Sequence, residues 1–283
     1  MSLAPFDYVR PSRLDQVLDD LAEHPAASLL AGGMSLLPLI KLELAQPSRL
    51  IDLGRVEGLS GVREENDAIW VGAMTPHHLL AAHPLVTAHI PVLAQAASRI
   101  GDPQVRHRGT IGGSLAHADP AADLPAAVLA ADAVMEARSV NGTREIPAAD
   151  FFVGPLATAL YPEEVLVAIR FPKENALRQS YQKIPHPASG YAVVGVAVSL
   201  ALAGDMVRAA RIAVAGVGSH PYRAFRAETV IAGGPLDTAV IEEAVPLVTE
   251  GQEVLGDAYA SAAYRRHLAE VAIRRVLSAL VPV

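Results

Sequence analysis

An α+β chain in two domains is the fold class that the sequence predicts. Three observations carry it. Short apolar runs alternate with helical periods up to about residue 172, a polar stretch fills 173–190, and a valine-rich hairpin with two helices follows. A boundary at 172/173 divides the 283 residues into domains of 1–172 and 173–283, each long enough for its own core.

The elements follow in order. Residues 13–25 place Leu14, Val17, Leu18 and Leu21 at helical spacing, with Ser12 as N-cap and Pro25 beyond the end. Residues 27–33, ASLLAGG, form a strand running into paired glycines; 35–47 is helical after Pro38, and 49–54 is a further strand. A strand over 68–74 leads to a short helix over 75–84, capped by Thr75 with Pro76 at the first helical position. An amphipathic helix spans 89–101, and another begins near Pro125 with Asp119 or Asp123 as its cap. Strands cover 133–138 and 164–171. Beyond the polar stretch, strands over 191–204 and 206–218 meet at a tight Gly204-Asp205 turn, and helices occupy 236–250 and 258–280.

Composition excludes several functions. A net charge of −7 with scattered arginines does not make a nucleic-acid surface, which needs clustered Lys and Arg. There is no cysteine, so the chain forms no disulfide and ligates no iron–sulfur cluster through thiolates. The most apolar stretch, 191–204, is shorter than the roughly 20 residues of a membrane-spanning helix. The N-terminal residues lack the apolar core of a signal peptide. The expectation is a cytoplasmic protein without a membrane span.

Two short stretches stand out. LLAGGMS (29–35) and TIGGS (110–114) each set paired glycines beside a hydroxyl residue. Consecutive backbone N–H groups at such turns form a concave, partly positive nest suited to phosphate, and glycine lets a ligand approach without meeting a Cβ. Ser35, Thr110 and Ser114 add hydroxyl donors. Either loop alone is compatible with an ordinary turn. Two of the same layout suit the two phosphates of a dinucleotide.

Other motifs fail. GVGSHP (216–221) has proline where a dinucleotide fingerprint needs its third glycine, and no P-loop, nucleophile elbow or H-E-x-x-H occurs. His77 and His78 are sequence neighbours and cannot share a helix face with His83 as ligands. A hard-metal set of His117, Asp119 and Asp123 is weaker than helix capping by one of the aspartates. No metal ligand and no catalytic side chain is assigned.

LLAGGMSLLPLIKLELAQPSRLIDLGRV and IGDPQVRHRGTIGGSLAHADPAADLPAAVLA resemble the FAD-binding medium subunit of molybdenum hydroxylases, of the carbon monoxide dehydrogenase and xanthine dehydrogenase type. The likeness continues through ADFFVGPLATAL, EEVLVAIRFP, SGYAVVGVAVSLAL, ARIAVAGVGSHPYRA and SAAYRRHLAEVAIRRVL, in order along essentially the whole chain.

The resemblance implies a two-part FAD-binding domain of the vanillyl-alcohol-oxidase-like type, with parts of about 1–55 and 56–172. A C-terminal domain with an antiparallel sheet and helices follows. It implies FAD held non-covalently by Ala31, Gly32, Gly33, Met34 and Ser35 and by Thr110, Ile111, Gly112, Gly113 and Ser114. Asp123 would accept from the cofactor's hydroxyl-bearing part, and Tyr191 would lie beside the isoalloxazine, with Lys183 a weaker candidate there. Relatives commonly carry His or Gln at position 34 and Asn at 107, where this chain has Met34 and His107. Those changes bear on flavin potential and orientation and leave the glycines intact.

The resemblance further implies shared labour. A molybdenum-cofactor subunit hydroxylates substrate, a small [2Fe-2S] subunit relays electrons to FAD, and an external acceptor takes them, in a dimer of heterotrimers. Two other readings remain: a stand-alone FAD-dependent oxidoreductase, and a flavin-free scaffold of the same fold. The substrate of the whole complex and its physiological acceptor are open.

Overall fold

The computed structural model describes residues 5–174 and 177–281. Three parallel strands form the first sheet, in the spatial order Asp7–Val9, Arg49–Asp52, Ala27–Leu30. The helix Leu14–Glu23 joins two of them and buries Val17 and Leu21 in one cluster with Ile51 and Leu53. Its cap position is Arg13 rather than Ser12, because the Gln16 side chain accepts from the backbone N–H groups of both. The strand stops at Leu30, short of the glycines. The next helix, Leu36–Lys41, contains Pro38 instead of following it, and ends well before residue 47. Proline is tolerated in a first turn, where the missing N–H has no helical partner to lose.

The second sheet is antiparallel, ordered Val62–Glu65, Ala68–Gly72, Val165–Pro172, Val134–Ser139, Gly142–Pro147. Its first hairpin is absent from the sequence reading. Asn66 and Asp67 both take positive φ, +50° and +56°, as a two-residue type I′ turn requires. The helix expected over 89–101 is the shorter Pro91–Ser98, and a separate helix, Pro84–His89, precedes it. Pro91 cannot donate to a preceding turn, and Ile90 at φ −137° breaks the run.

In the third sheet Leu177–Pro185, Ala192–Ala203, Met206–Ala215 and Tyr222–Arg223 pair antiparallel in chain order. The hairpin turns at Gly204, φ +60°. Its two faces differ in size. Val194, Val196, Val198 and Leu200 meet Ala269, Ile273 and Val276 of the long helix Ala262–Leu280. Ala197 and Ala213 point the other way, and their small side chains admit the helix Asp123–Ala130 against the sheet. One apolar core therefore runs from Ile69 and Phe171 through Leu93 and Leu124 to Tyr181 and Ala213.

The polar stretch 173–190 is corrected by this sheet, because half of it is the strand Leu177–Pro185; residues 175 and 176 lie outside the described residues. Its inward positions are Gln179, Tyr181 and Lys183, so alternation runs against the usual polarity and hides the strand. Near the end, Thr238–Ala244 passes into a 3-10 turn, Val245–Thr249, and Phe225–Ile231 is a helix that the sequence reading lacks. The last helix starts at Ala262, with the Ser261 hydroxyl accepting from Tyr264 N.

Candidate functional site

Both glycine stretches line a cleft of about 540 Å³, within the roughly 300–1,000 Å³ span of small-molecule sites. They solve different problems. In the first, the chain leaves Leu30 and reverses at Gly33, φ +75°. The backbone N–H groups of Gly32, Gly33, Met34 and Ser35 find no protein acceptor among the described residues. This is an open nest.

The second stretch is a helix start rather than the expected turn. Residues 103–108 are helical, and Gly112 and Gly113 lie in the first turn of the helix Ile111–His117, at negative φ. Its N–H groups are already spent. Ile111 N donates to Thr75 O, Gly112 N to Ala73 O, Gly113 N to the Thr110 hydroxyl and Ser114 N to Thr110 O. What it offers the cleft is a bare wall and the Ser114 hydroxyl.

Close approach explains three of the four glycines. A Cβ on Gly32 would lie 2.1 Å from the Arg108 carbonyl, and one on Gly112 2.5 Å from the Ala73 Cβ. One on Gly113 would lie 3.0 Å from the Thr110 hydroxyl and 3.5 Å from the Ala31 Cβ, on the other loop. Gly33 alone needs the left-handed backbone.

Ala31, Gly32, Gly33, Met34, Ser35, Thr110, Gly112, Gly113, Ser114, Asp123 and Tyr191 all line the cleft. Ile111 does not; its side chain is fully buried in the core. Lys183 does not either. It sits behind Asp123, its Nζ 2.7 Å from Asp123 Oδ2 and 3.0 Å from the Arg99 carbonyl. Tyr181 donates to the other carboxylate oxygen at 2.5 Å. Asp123 is the first residue of the helix Asp123–Ala130, whose cap position is Ala122. Neither expected aspartate caps it: Asp119 accepts from Ala121 N in the preceding turn. Burial raises the Asp123 carboxyl above the usual range, against the pull of Lys183 and Tyr181. Tyr191 is half-exposed, and burial and Asp119 raise its phenol.

His77 belongs to the cleft wall, though the sequence offered it only as a rejected metal ligand. Its position depends on an isolated bridge between Pro76 and Thr110, a pairing across more than 30 residues that no local pattern announces. Thr75, expected as a helix cap, instead exchanges hydrogen bonds with Gly61. The helix starts at His77, with Pro76 in the cap position. His77 is 4% exposed and its Nδ1 has no partner among the described residues. Burial, helped by the neighbouring His78, lowers the imidazole from 6.5 to about 4.

The unfolded chain therefore binds a proton here that the folded chain refuses. The stabilising contribution is full above pH 6.5 and is lost as pH falls toward 4. About 2 kcal/mol should go between pH 6.5 and 5. Urea unfolding of the apoprotein and of His77→Gln at pH 7 and pH 5 measures it. The variant's stability should fall less across that interval, and parallel losses would refute the assignment.

Among the described residues no group of three His, Asp or Glu side chains could hold a metal, and no helix is long and apolar enough to cross a membrane. The cleft fits a dinucleotide instead. Unspent N–H groups at Gly32–Ser35 and hydroxyls at Ser35 and Ser114 are what a pyrophosphate requires.

Comparison with known proteins agrees. The family model for the FAD binding domain in molybdopterin dehydrogenase matches residues 4–174, and that for the CO dehydrogenase flavoprotein C-terminal domain matches 179–280. The nicotine 6-hydroxylase medium subunit of Paenarthrobacter nicotinovorans is 36% identical over 98% of this chain and 98% of its own. The carbon monoxide dehydrogenase medium chain of Hydrogenophaga pseudoflava is 36% identical, over 97% and 96%. A solved structure of that organism's carbon monoxide dehydrogenase superposes with a TM-score of 0.95 at 37% identity, covering 99% of this chain and 98% of the other. Quinoline 2-oxidoreductase from Pseudomonas putida 86 gives 0.93 at 35%, with the same coverage.

The chain belongs to the FAD-binding family of molybdopterin dehydrogenases. It is a FAD-binding medium subunit of the molybdenum hydroxylase type, an oxidoreductase component.

Proposed function

We propose that this chain is the electron-transfer subunit of a molybdenum hydroxylase, with one FAD bound non-covalently. The observation that carries the reading is the cleft itself: the open nest at Gly32–Ser35 lines it together with Gly112, Gly113 and Ser114 of the second stretch. When bound, FAD would supply a carrier that takes electrons singly from iron–sulfur centres in a separate subunit and passes them to an external acceptor. The residues of this chain position and shield it, with no side chain acting as nucleophile or general base. Backbone N–H groups of Gly32, Gly33, Met34 and Ser35, with the Ser114 hydroxyl, would hold the pyrophosphate. Asp123 would accept from a cofactor hydroxyl, and Tyr191 would cover the ring system.

Partner subunits follow from the same reading. A chain without cysteine ligates no cluster through thiolates, and relatives covering 94–98% of it are named medium chains or medium subunits. A molybdenum subunit and a small iron–sulfur subunit complete the enzyme, as a dimer of heterotrimers in the cytoplasm. The same reading divides the chain into a cofactor domain, 1–172, with parts of about 1–55 and 56–172, and a C-terminal domain, 173–283.

Acid precipitation of the purified protein should release FAD into the supernatant. The isolated chain should not turn over aldehydes, purines, N-heterocycles or alcohols, while its flavin is reduced by a chemical reductant. A coloured pellet would refute non-covalent binding, and FMN in the supernatant would refute the pyrophosphate site. A colourless protein would favour the scaffold, and substantial turnover by the single chain a stand-alone oxidoreductase.

A further inference from the structure

The floor of the cleft is held by groups that the cofactor reading leaves unused. Tyr181 and Lys183 stand two residues apart on the strand Leu177–Pro185, so their side chains share one face. Both reach into the other half of the molecule and end on the two oxygens of Asp123, at 2.5 Å and 2.7 Å. All three are at least nine-tenths buried. The surroundings are shaped for this contact. Gly195, paired with Lys183 across the sheet, would place a Cβ 2.5 Å from the Tyr181 hydroxyl, so its bareness admits the phenol. Gln95 accepts from Tyr181 N at 2.8 Å, and the Arg99 carbonyl takes a second bond from Lys183.

We propose that Tyr181 and Lys183 are positioning residues that keep the Asp123 carboxylate ionised and aimed at the cofactor cleft. The proposal rests on the reading that Asp123 accepts from the cofactor. Burial alone favours a protonated Asp123, which would lose acceptor capacity and donate in its place. A charge-assisted bond to each oxygen opposes that, and fixes the carboxylate plane. Other charges around it are the Arg99 guanidinium, from the turn after the helix Pro91–Ser98, and Asp119, which lines the same cleft with His117 and Tyr191. The arrangement makes the C-terminal sheet part of the cofactor site without a wall contact by either residue.

The test is FAD affinity of the apoprotein against pH, by flavin fluorescence, for the parent and for Tyr181→Phe, Gly195→Ala and Asp123→Asn. Tyr181→Phe removes one bond to the carboxylate, and Gly195→Ala displaces the same hydroxyl while leaving it in place chemically. Each should move the acid limb of the binding curve up by about one pH unit, so that affinity at the pH of the parent's midpoint falls several-fold, with little change well above it. Asp123→Asn should bind weakly and lose the limb. Curves for Tyr181→Phe and Gly195→Ala that overlie the parent's, or fall equally at every pH, would overturn the proposal while the Asp123 reading stands. Parent-like binding by Asp123→Asn at every pH would overturn both.

Discussion

Gly33→Val and Gly113→Val should each yield protein that folds and holds no flavin. At Gly113 the backbone is helical, so valine meets no φ penalty; its Cβ would lie 3.0 Å from the Thr110 hydroxyl and 3.5 Å from the Ala31 Cβ, wedging the two loops. At Gly33 the left-handed backbone, φ +75°, makes a β-branched residue an outlier. The strain is about 1–2 kcal/mol. Its nearest obstacles are the side chains of Leu37 and Leu30, which can turn aside. Flavin affinity should drop by at least about 100-fold, equivalent to ~3 kcal/mol, with circular dichroism unchanged. Full flavin content in either variant would remove these glycines from the site.

Gly32→Ala and Gly112→Ala, smaller changes at neighbouring positions, should damage folding itself. The added carbon meets the Arg108 carbonyl at 2.1 Å in one case, and the Ala73 Cβ at 2.5 Å with its carbonyl at 2.8 Å in the other. Those atoms are backbone, or a Cβ fixed to it, and cannot rotate away; the Ala73 carbonyl already accepts from Gly112 N. Forcing them apart separates the segments that meet beneath the cleft. The cost is on the order of 3 kcal/mol, read as a lower urea midpoint in the apoprotein. Each pair of adjacent glycines thus contains one residue that shapes the ligand space and one that lets the chain cross itself. Parent-like midpoints in both alanine variants would contradict that division.

Where local physics governs, the sequence was legible. The parallel strands near residues 27 and 49, the Gly204-Asp205 hairpin and the last helix follow from apolar period and turn chemistry. The glycine stretches were legible as a pair, since two of one layout suit a dinucleotide where either alone is compatible with an ordinary turn. The hairpin at Asn66-Asp67 and the break at Pro91 were equally local, and turn chemistry could have found both. The strand Leu177–Pro185 is different. Its buried face carries Gln179, Tyr181 and Lys183 because it meets a polar floor, so its alternation reads as a linker.

Tertiary structure alone decided how the site is built. Sequence predicted two equivalent nests; the fold made one nest and one wall, because the N–H groups of residues 111–114 find acceptors at Thr75, Ala73 and Thr110. Whether a glycine is there for φ or for space depends on which atom lies beyond its missing Cβ, and those atoms come from distant segments: Arg108 over Gly32, Ala73 over Gly112. Asp123 and Lys183, 60 residues apart, were separate candidates by sequence and became one ion pair only when the third sheet packed against the helix Asp123–Ala130. Local residue types determine which backbone conformations are cheap. Only the packing of remote segments determines which polar groups remain free for a ligand.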